Sequence, residues 1–519
     1  MNLKRTLAIT MAAITLSATL AGCSSAPANT PNDGSSFVVS NSPSTNNATA
    51  TKTPTAPAEP KYVFLFIGDG MSYPQFQAAS DYLGAVGDKT DNKILDGNIP
   101  LSFMEFPAAG SAVTYDSTSF CPDSASTATS LSTGYKTYSG TINMDETATK
   151  SYETITEKLK AQKNYKIGVV STVNLNHATP AAFYAHQASR GNYYEIGEEL
   201  VKSGFDYFAG GGLLKPTGAD EDKTDIYEVA ENGGYKVVKT QADAEKVTAA
   251  DGKLLLIDEH LADSDAMAYD NDRPDADWGL ANYVKKGIEV LNNDTGFFMM
   301  VEGGKIDWAC HANDAGSTIA DTIALSAAVD EAIAFAKDHP TETLIVVTGD
   351  HETGGLTIGY AGTDYNTYLT NLTNQKISYA KFDSDYVANY KENNTSFDDV
   401  MKDVETLFGL KQRGEEGDTL VLTEYETTRL KDAYAATLDA DRKVDSKKQA
   451  EYVLYGTYEP LSVTITHILN NKSGINFSSY AHTGLPVAVF AQGIGEETFN
   501  GFYDNTQIYF KLASMLNIK

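Results

Sequence analysis

Four short, mainly apolar runs constrain the fold of this chain more than any other feature of its sequence. They are rich in β-branched and aromatic residues and lack the polar alternation of half-buried strands: Tyr62–Ile67, Lys166–Ser171, Phe297–Val301 and Thr343–Thr348. Such runs are typical of strands buried on both faces of a parallel sheet. Because segments of helical periodicity separate them, the sequence predicts an α/β fold, a helix–sheet–helix sandwich around a large, mostly parallel sheet.

Side chains that can bind metal follow each of these runs. In an open parallel sheet the carboxyl ends of the strands meet at one edge, and ligands bind beyond that edge. The sequence therefore predicts that metal-type ligands gather there. In chain order, the residues that follow the runs are Asp69, His177, Thr179, Glu302, Asp307, His311, Asp350 and His351.

Two pairs within this set have spacings suited to a shared metal. Asp307 and His311 are four residues apart, so on a helix both side chains point to one face. Asp350 and His351 are adjacent at a predicted strand end, where a loop can turn both side chains inward. Each spacing is also common in proteins that bind no metal, so neither is specific by itself.

Ser124 lies in a run of small and hydroxyl residues that opens a predicted helix, Asp123 to Thr129. The commoner use of Asp or Ser at such a place is to cap the helix. The alternative is a nucleophile at a helix N-terminus, where free N–H groups and the helix dipole favour phosphate. No basic side chain adjoins Ser124 in sequence, so a metal would have to lower the pKa of its hydroxyl.

The composition and periodicity of the sequence change between residues 362 and 480. Long polar segments with helical periodicity, such as Ser396–Phe408 and Thr423–Leu438, replace the apolar runs. This block is predicted to be a helical cap insertion that shapes access to the site. The strand-like segment Leu485–Phe490 then returns the chain to the sheet.

The N-terminus has the features of a targeting segment. Lys4 and Arg5 precede a mostly apolar stretch that ends in Leu20-Ala21-Gly22-Cys23, which resembles a bacterial lipobox. The sequence predicts a signal peptide over residues 1–22, a lipid on Cys23 and a disordered, Ser/Thr/Pro-rich tether over 23–60. The protein would then be secreted and anchored to the extracytoplasmic or periplasmic face of a membrane. The alternative is an ordinary secretory signal with an incidental cysteine.

Charge and cysteine content narrow the classes of function. The formal net charge is −29, so the surface repels nucleic-acid phosphates and nucleic-acid binding is excluded as a main function. Phosphate chemistry would need a local positive site such as bound metal. Beyond Cys23 the chain has only Cys121 and Cys310, each within three residues of a proposed active-site residue. A bridge between them and two free thiols are both compatible with the sequence.

Six motifs together carry a family resemblance. In the same order as in bacterial and animal alkaline phosphatases, the chain contains Gly68-Asp69-Gly70-Met71, Pro122-Asp123-Ser124-Ala125, His177 to Ala182, Glu302 to Asp307, Asp350-His351 and His482-Thr483-Gly484. The resemblance covers about residues 61 to 519. It implies an alkaline phosphatase catalytic domain that hydrolyses phosphate monoesters through a phosphoserine.

The resemblance also implies a role for each site residue. Ser124 would be the nucleophile, and Arg190 would grip two phosphate oxygens. One zinc would be held by Asp307, His311 and His482, and a second by Asp69, Asp350 and His351. Asp69 would also bridge to a magnesium site completed by Thr179 and Glu302. His177 and Trp308 flank this third site where some relatives carry an acid and a lysine, so the identity of its metal is left open.

Two other functions compete with this one. The first is a related phosphodiesterase or sulfatase on the same fold, which would be expected to lack the pairing of Ser124 with Arg190. The second is a lipid-anchored phosphate-binding protein, which would not need an activated serine. The sequence specifies neither the natural ester nor whether the chain works as a monomer or as a homodimer.

Overall fold

The computed structural model describes residues 59–87, 97–443, 445 and 447–519. The signal peptide, Cys23 and nearly all of the tether lie outside these described residues. No helix within them combines the length and the apolar character that crossing a bilayer requires. The strands are β1 (Tyr62–Gly68), β2 (Ala108–Val113), β3 (Lys166–Ser171), β4 (Tyr207–Gly210), β5 (Tyr235–Val238), β6 (Lys253–Ile257), β7 (Phe297–Gly303), β8 (Thr343–Gly349), β9 (Glu352–Thr353), β10 (Thr357–Ile358), β11 (Ile475–Asn476), β12 (His482–Thr483), β13 (Val487–Gly493) and β14 (Gly501–Asp504).

Ten of these strands form one sheet in the order β14–β2–β13–β8–β1–β7–β3–β4–β6–β5. Every neighbouring pair is parallel except those made by β13, which runs antiparallel to both β2 and β8. The prediction of a large, mostly parallel sheet is therefore confirmed. The four predicted runs are β1, β3, β7 and β8, and they are adjacent at the centre of the sheet.

Helices cover both faces of the sheet. They are α1 (Tyr73–Gly87), α2 (Ser124–Thr133), α3 (Ile155–Lys163), α4 (Ala178–Ala181), α5 (Tyr193–Ser203), α6 (Ile226–Asn232), α7 (Gln241–Ala244), α8 (Leu280–Leu291), α9 (Lys305–His311), α10 (Ala315–Asp338), α11 (Tyr379–Phe382), α12 (Ala388–Asn393), α13 (Phe397–Phe408), α14 (Glu424–Leu438), α15 (Gln449–Tyr455), α16 (Pro460–Ser473) and α17 (Thr506–Met515).

Successive residues of β1 point into two separate hydrophobic cores. Tyr62, Phe64 and Phe66 pack into the core beneath α1, α8 and α10, and the alternate side chains Val63, Leu65 and Ile67 pack into the core beneath α2, α3 and α17. All seven residues of β1 are buried, as they are in β7 and β8. Burial on both faces explains why these strands read as continuous apolar runs in the sequence.

Residues 362–480 are largely helical, and they contain α11 to α16. Leu430, Leu461 and Ile465 extend the core that lies beneath α10. At the end of the block β11 pairs with β10, which lies just before its start, so the insertion leaves and rejoins the sheet domain at one place. Its role as a cap that shapes access to the site stays a prediction.

Candidate active site

The carboxyl ends of β8, β1, β7 and β3 lie side by side. Gly68 at the end of β1 is in register with Gly303 and with Gly349, and Ser171 at the end of β3 is in register with Glu302. Asp69 and Asp350 are the next residues after β1 and β8. Residues that are about 280 positions apart in the sequence, such as Gly70 and Asp350, are thus in contact at one edge of the sheet.

A first group of ligand-type side chains consists of Asp307, His311 and His482. Asp307 and His311 share one face of α9, as the spacing predicts, and His482 lies on β12. The Nε2 atoms of the two histidines are 3.0 Å apart, and they lie 3.4 Å and 3.6 Å from Asp307 Oδ1. Burial opposes ionisation of Asp307, but the histidines around it lower its pKa. The group therefore presents one carboxylate and two imidazole nitrogens to a common point.

The opposite nitrogens of these two rings are held by main-chain carbonyls. His311 Nδ1 lies 2.6 Å from the Tyr480 carbonyl oxygen, and His482 Nδ1 contacts the Pro122 carbonyl oxygen. A carbonyl can only accept, so each Nδ1 carries the proton and each Nε2 keeps its lone pair free. Burial lowers the pKa of His482 to about 3, which keeps its imidazole neutral at ordinary pH.

A second group consists of Asp69, Asp350 and His351, all of them buried. His351 Nε2 lies 3.4 Å from Asp69 Oδ1 and 3.3 Å from Asp350 Oδ2. Burial, reinforced by neighbouring carboxylates, raises the pKa of Asp69 well above its usual range and that of Asp350 to about 8. His351 also lies close to Asp307 and His482, so the two groups adjoin. A cation between these oxygens would relieve the repulsion that shifts their pKa values.

Thr179 and Glu302 extend the second group. Thr179 Oγ1 donates to Asp69 Oδ2 at 3.2 Å, and Ser171 Oγ donates to Glu302 Oε2. Within the described residues, Asp69 Oδ1 and Glu302 Oε1 are buried and have no hydrogen-bond donor. Buried carboxylate oxygens without partners are costly, so this donor set fits a hard cation.

His177 is the residue before α4, two positions before Thr179. Its Nε2 is 3.2 Å from Arg190 Nη2, and its ring meets that of Trp308 edge-on with centroids 6.0 Å apart. Burial and the Arg190 charge lower the pKa of His177 to about 3. Among the described hydrogen bonds and ion pairs, none joins His177 to Asp69 or Glu302. Its predicted place beside a third metal stays a prediction.

Ser124 is the first residue of α2, and its Oγ lies 3.2 Å from His351 Nε2. The cap of this helix is Asp123, whose side chain accepts from Ser126 N at 3.1 Å. The capping function is thus filled by the preceding residue, and the buried Ser124 hydroxyl faces the second ligand group. The Arg190 side chain also lies at the start of α2, since its Nη1 donates to Asp123 Oδ2 at 2.9 Å.

The two cysteines near the site are free thiols, Cys310 buried and Cys121 exposed. Of the two arrangements compatible with the sequence, the structure therefore has the unbridged one.

Two buried carboxylates near the site are not among the residues predicted from the sequence. Asp116 accepts from Thr118 N and Ser126 Oγ and so ties the preceding loop to α2. Glu352 accepts from Gln75 Nε2 at 2.7 Å and from Thr483 Oγ1, which joins β9 to β12. The Asp-Ser-Thr pattern of an Asx turn at Asp116 and the position of Glu352 next to His351 were the available signals.

Comparison with known proteins agrees with this geometry. The family model for alkaline phosphatase matches residues 60–518. The chain is 30% identical over 469 residues to alkaline phosphatase 4 of Bacillus subtilis, with 88% of this chain and 89% of the relative covered. The cold-active alkaline phosphatase of a psychrophilic Shewanella is 27% identical, with a TM-score of 0.69 over 88% of this chain and 99% of that one.

A second similar structure is a histidine-to-aspartate variant of the TAB5 alkaline phosphatase, described with Mg bound in its M3 site. It is 26% identical, with a TM-score of 0.58 over 89% of this chain and 99% of that one. From the match to the family model and the Bacillus relative, this chain belongs to the alkaline phosphatase family.

Proposed function

We propose that this phosphomonoesterase works through a covalent phosphoserine on Ser124, assisted by two zinc ions and one magnesium ion. The observation that carries the proposal is the position of Ser124 Oγ. It lies at the N-terminus of a ten-residue helix and 3.2 Å from His351 Nε2, and His351 is close to ligand-type side chains of both groups. In the first step Ser124 Oγ bonds to phosphorus and the ester oxygen leaves. In the second, water attacks phosphorus, the bond between phosphorus and Ser124 Oγ breaks, and phosphate is released.

The chain offers suitable ligands for each ion. Nitrogen and carboxylate ligands in threes are typical of zinc sites with an open position, whereas a hydroxyl with carboxylates suits magnesium. When bound, the cations neutralise charge on the phosphoryl oxygens and lower the pKa of the Ser124 hydroxyl. In this proposal the zinc ligands are Asp307, His311 and His482 at one site and Asp69, Asp350 and His351 at the other, and the magnesium ligands are Asp69, Thr179 and Glu302.

Arg190 and the start of α2 bind the phosphoryl group in this proposal. A guanidinium fork can donate to two phosphoryl oxygens at once, and the free N–H groups of a helix N-terminus favour the same anion. Asp123 supports both elements, because it caps α2 and accepts from Arg190 Nη1. Burial disfavours the charge on Arg190, but the nearby Asp123 and Asp69 raise its pKa. The cation is therefore retained at any pH of interest.

Elemental analysis of the purified protein tests the proposed composition of the site. Two zinc ions and one magnesium ion per chain are expected, with hydrolysis of a chromogenic phosphomonoester that stops on chelation. Full activity in protein carrying less than one zinc ion per chain would contradict the proposal.

Substitution of His177 by aspartate should tighten magnesium binding by about tenfold. The neutral imidazole would be replaced by a carboxylate, and Mg²⁺ prefers oxygen and can be held through its water shell. The measurement is activity against magnesium concentration, with His260→Asp as a control because His260 is exposed. A histidine-to-aspartate variant of a similar enzyme, the TAB5 phosphatase, is described with Mg bound in its M3 site. Superimposable titrations for wild type and His177→Asp would remove His177 from this site.

Substitution of Cys23 by serine should release the protein from membranes. The lipid attached to Cys23 is the proposed anchor, and a serine cannot carry it as a thioether. The measurement is the share of activity that sediments with membranes after expression of the full chain. Cys121→Ser is the matched control and should stay membrane-bound, because Cys121 belongs to the catalytic domain. Equal solubility of wild type and Cys23→Ser would exclude the anchor.

A further inference from the structure

The direction of the His311 ring is set by one residue of the insertion. His311 lies in the last turn of α9, and its Nδ1 donates to the Tyr480 carbonyl oxygen at 2.6 Å. This hydrogen bond fixes the protonated nitrogen, so the lone pair of Nε2 points at His482 and Asp307. The position of the Tyr480 main chain therefore decides where His311 can bind a cation.

The Tyr480 side chain is in turn fixed by α15 and by the turn that follows it. Its phenol donates to the Leu454 carbonyl oxygen at 2.8 Å. Its ring lies against Gly456, where an added Cβ would be only 2.8 Å from Tyr480 Cγ. Gly456 also has a φ of +57°, which disfavours other residues. Aromatic rings of Tyr452 and Tyr458 pack around Tyr480 with centroids 6.2 Å and 6.1 Å away.

A second connection joins the same parts of the molecule. Asn313, just beyond α9, donates through Nδ2 to the carbonyl oxygens of Cys310 and Ser479, at 2.9 Å and 2.8 Å. Its Oδ1 lies 3.0 Å from His467 Nε2 on α16. Burial lowers the pKa of His467 to about 4, so its ring is neutral and its Nε2 donates. The end of α9 and the segment that ends at Tyr480 are thus both attached to α16.

We propose that α15 and α16 are the outer support of the site formed by Asp307, His311 and His482, and that Tyr480 is the positioning residue through which they act. This inference rests on the proposed function, because it takes that site to hold a zinc ion. The helical insertion would then determine how long this ion is retained, in addition to any effect on substrate access. The site formed by Asp69, Asp350 and His351 has no such connection among the described contacts.

The test is release of zinc to a chromogenic chelator, measured on zinc-loaded full-length protein. Gly456→Ala should release one of its two zinc ions about tenfold faster than wild type, because partners that orient a metal-bound histidine affect metal affinity by about 10- to 100-fold. The second zinc ion should leave at the wild-type rate. Gly417→Ala is the matched control, since Gly417 has a φ of +90° and open space around its Cα. It carries the same backbone strain without the ring contact.

Tyr480→Phe gives a second measurement that does not depend on backbone strain. It removes the hydrogen bonds of the phenol to the main-chain carbonyl oxygens of α15, at 2.8 Å to Leu454 and 3.5 Å to Val453, so one zinc ion should leave several-fold faster. Tyr434→Phe is its control, because the Tyr434 phenol donates to the Thr395 carbonyl oxygen at 2.6 Å within the same insertion. The inference is overturned if both test variants release zinc at the rates of their controls, or if both zinc ions leave faster together. A wild-type protein that binds no zinc would overturn the proposed function itself.

Discussion

Replacement of Ser124 by alanine should lower the turnover of phosphomonoesters by about a thousandfold or more, while the zinc content stays unchanged. The loss follows because the substitution removes the Ser124 hydroxyl. Among the described residues it is the only hydroxyl within hydrogen-bond distance of Nε2 of His351, which belongs to the second ligand group. Zinc should be retained because carboxylates and imidazoles supply the ligands proposed for both ions. The residual activity would come from direct attack of water on the bound ester, which Arg190 and the start of α2 still hold.

A covalent intermediate can be trapped in the same experiment. Wild-type enzyme quenched in acid during turnover, or with excess phosphate, should carry phosphate on the peptide that contains Ser124. Ser130→Ala is a suitable control, since its buried hydroxyl lies on the same helix and, among the described hydrogen bonds, donates to the Ser126 carbonyl oxygen alone, at 3.1 Å. That variant should still form the phosphoserine. Absence of phosphopeptide from the wild type, together with full activity of Ser124→Ala, would exclude the mechanism.

The central sheet could be predicted because a strand that is buried on both faces is a continuous apolar run in the sequence. The four runs begin at the observed first residues of β1, β3, β7 and β8. The runs end up to two positions before the strands do, because Glu302 and the glycines at the strand ends interrupt the apolar pattern. The convergence of side chains followed from one rule, that parallel strands end at one edge. No knowledge of the register was needed.

Elements that depend on distant partners could not be predicted in this way. The predicted strand Leu485–Phe490 overlaps only the first four residues of β13, and the antiparallel direction of β13 depends on β2 and β8, which lie far away in sequence. The pairing of β12 with β9 brings His482 next to the other ligands, yet each strand has only two residues. The contact of Tyr480 with His311 spans 169 residues and uses a main-chain atom, which leaves no trace in side-chain patterns.

Removal of the metals should abolish hydrolysis and lower the melting temperature by about 5 °C or more. The difference in melting temperature between metal-loaded and metal-free protein should be larger at pH 8 than at pH 7. Ligands present far above their Kd stabilise a folded protein by about 4 kcal/mol. The pH dependence comes from the carboxylates of the second group. In the metal-free protein, burial raises the pKa of Asp350 to about 8 and those of Asp69 and Glu302 well above the usual range.

The direction of this effect follows from proton binding. Because the folded-state pKa of Asp350 lies above its unfolded-state value, the metal-free folded state keeps a proton that the unfolded state has released at pH 7. Its free energy of unfolding therefore falls as the pH rises toward 8. Buried histidines do not oppose the trend there, since the pKa of His351 is lowered to about 4 and an unfolded histidine is already mostly neutral above pH 7. In the metal-loaded protein the same carboxylates are ligands and carry no proton.

Scanning calorimetry at pH 7 and pH 8, with and without chelator, measures the difference directly. Asp350→Asn should reduce the increase from pH 7 to pH 8, because it removes one of the shifted carboxylates. Asp272→Asn is the matched control, since burial raises the pKa of Asp272 to about 6 while its carboxylate accepts from Ser378, away from the ligand groups. It should leave the increase intact. A melting-temperature difference that is equal at the two pH values, or larger at pH 7, would show that the carboxylates are already ionised without metal.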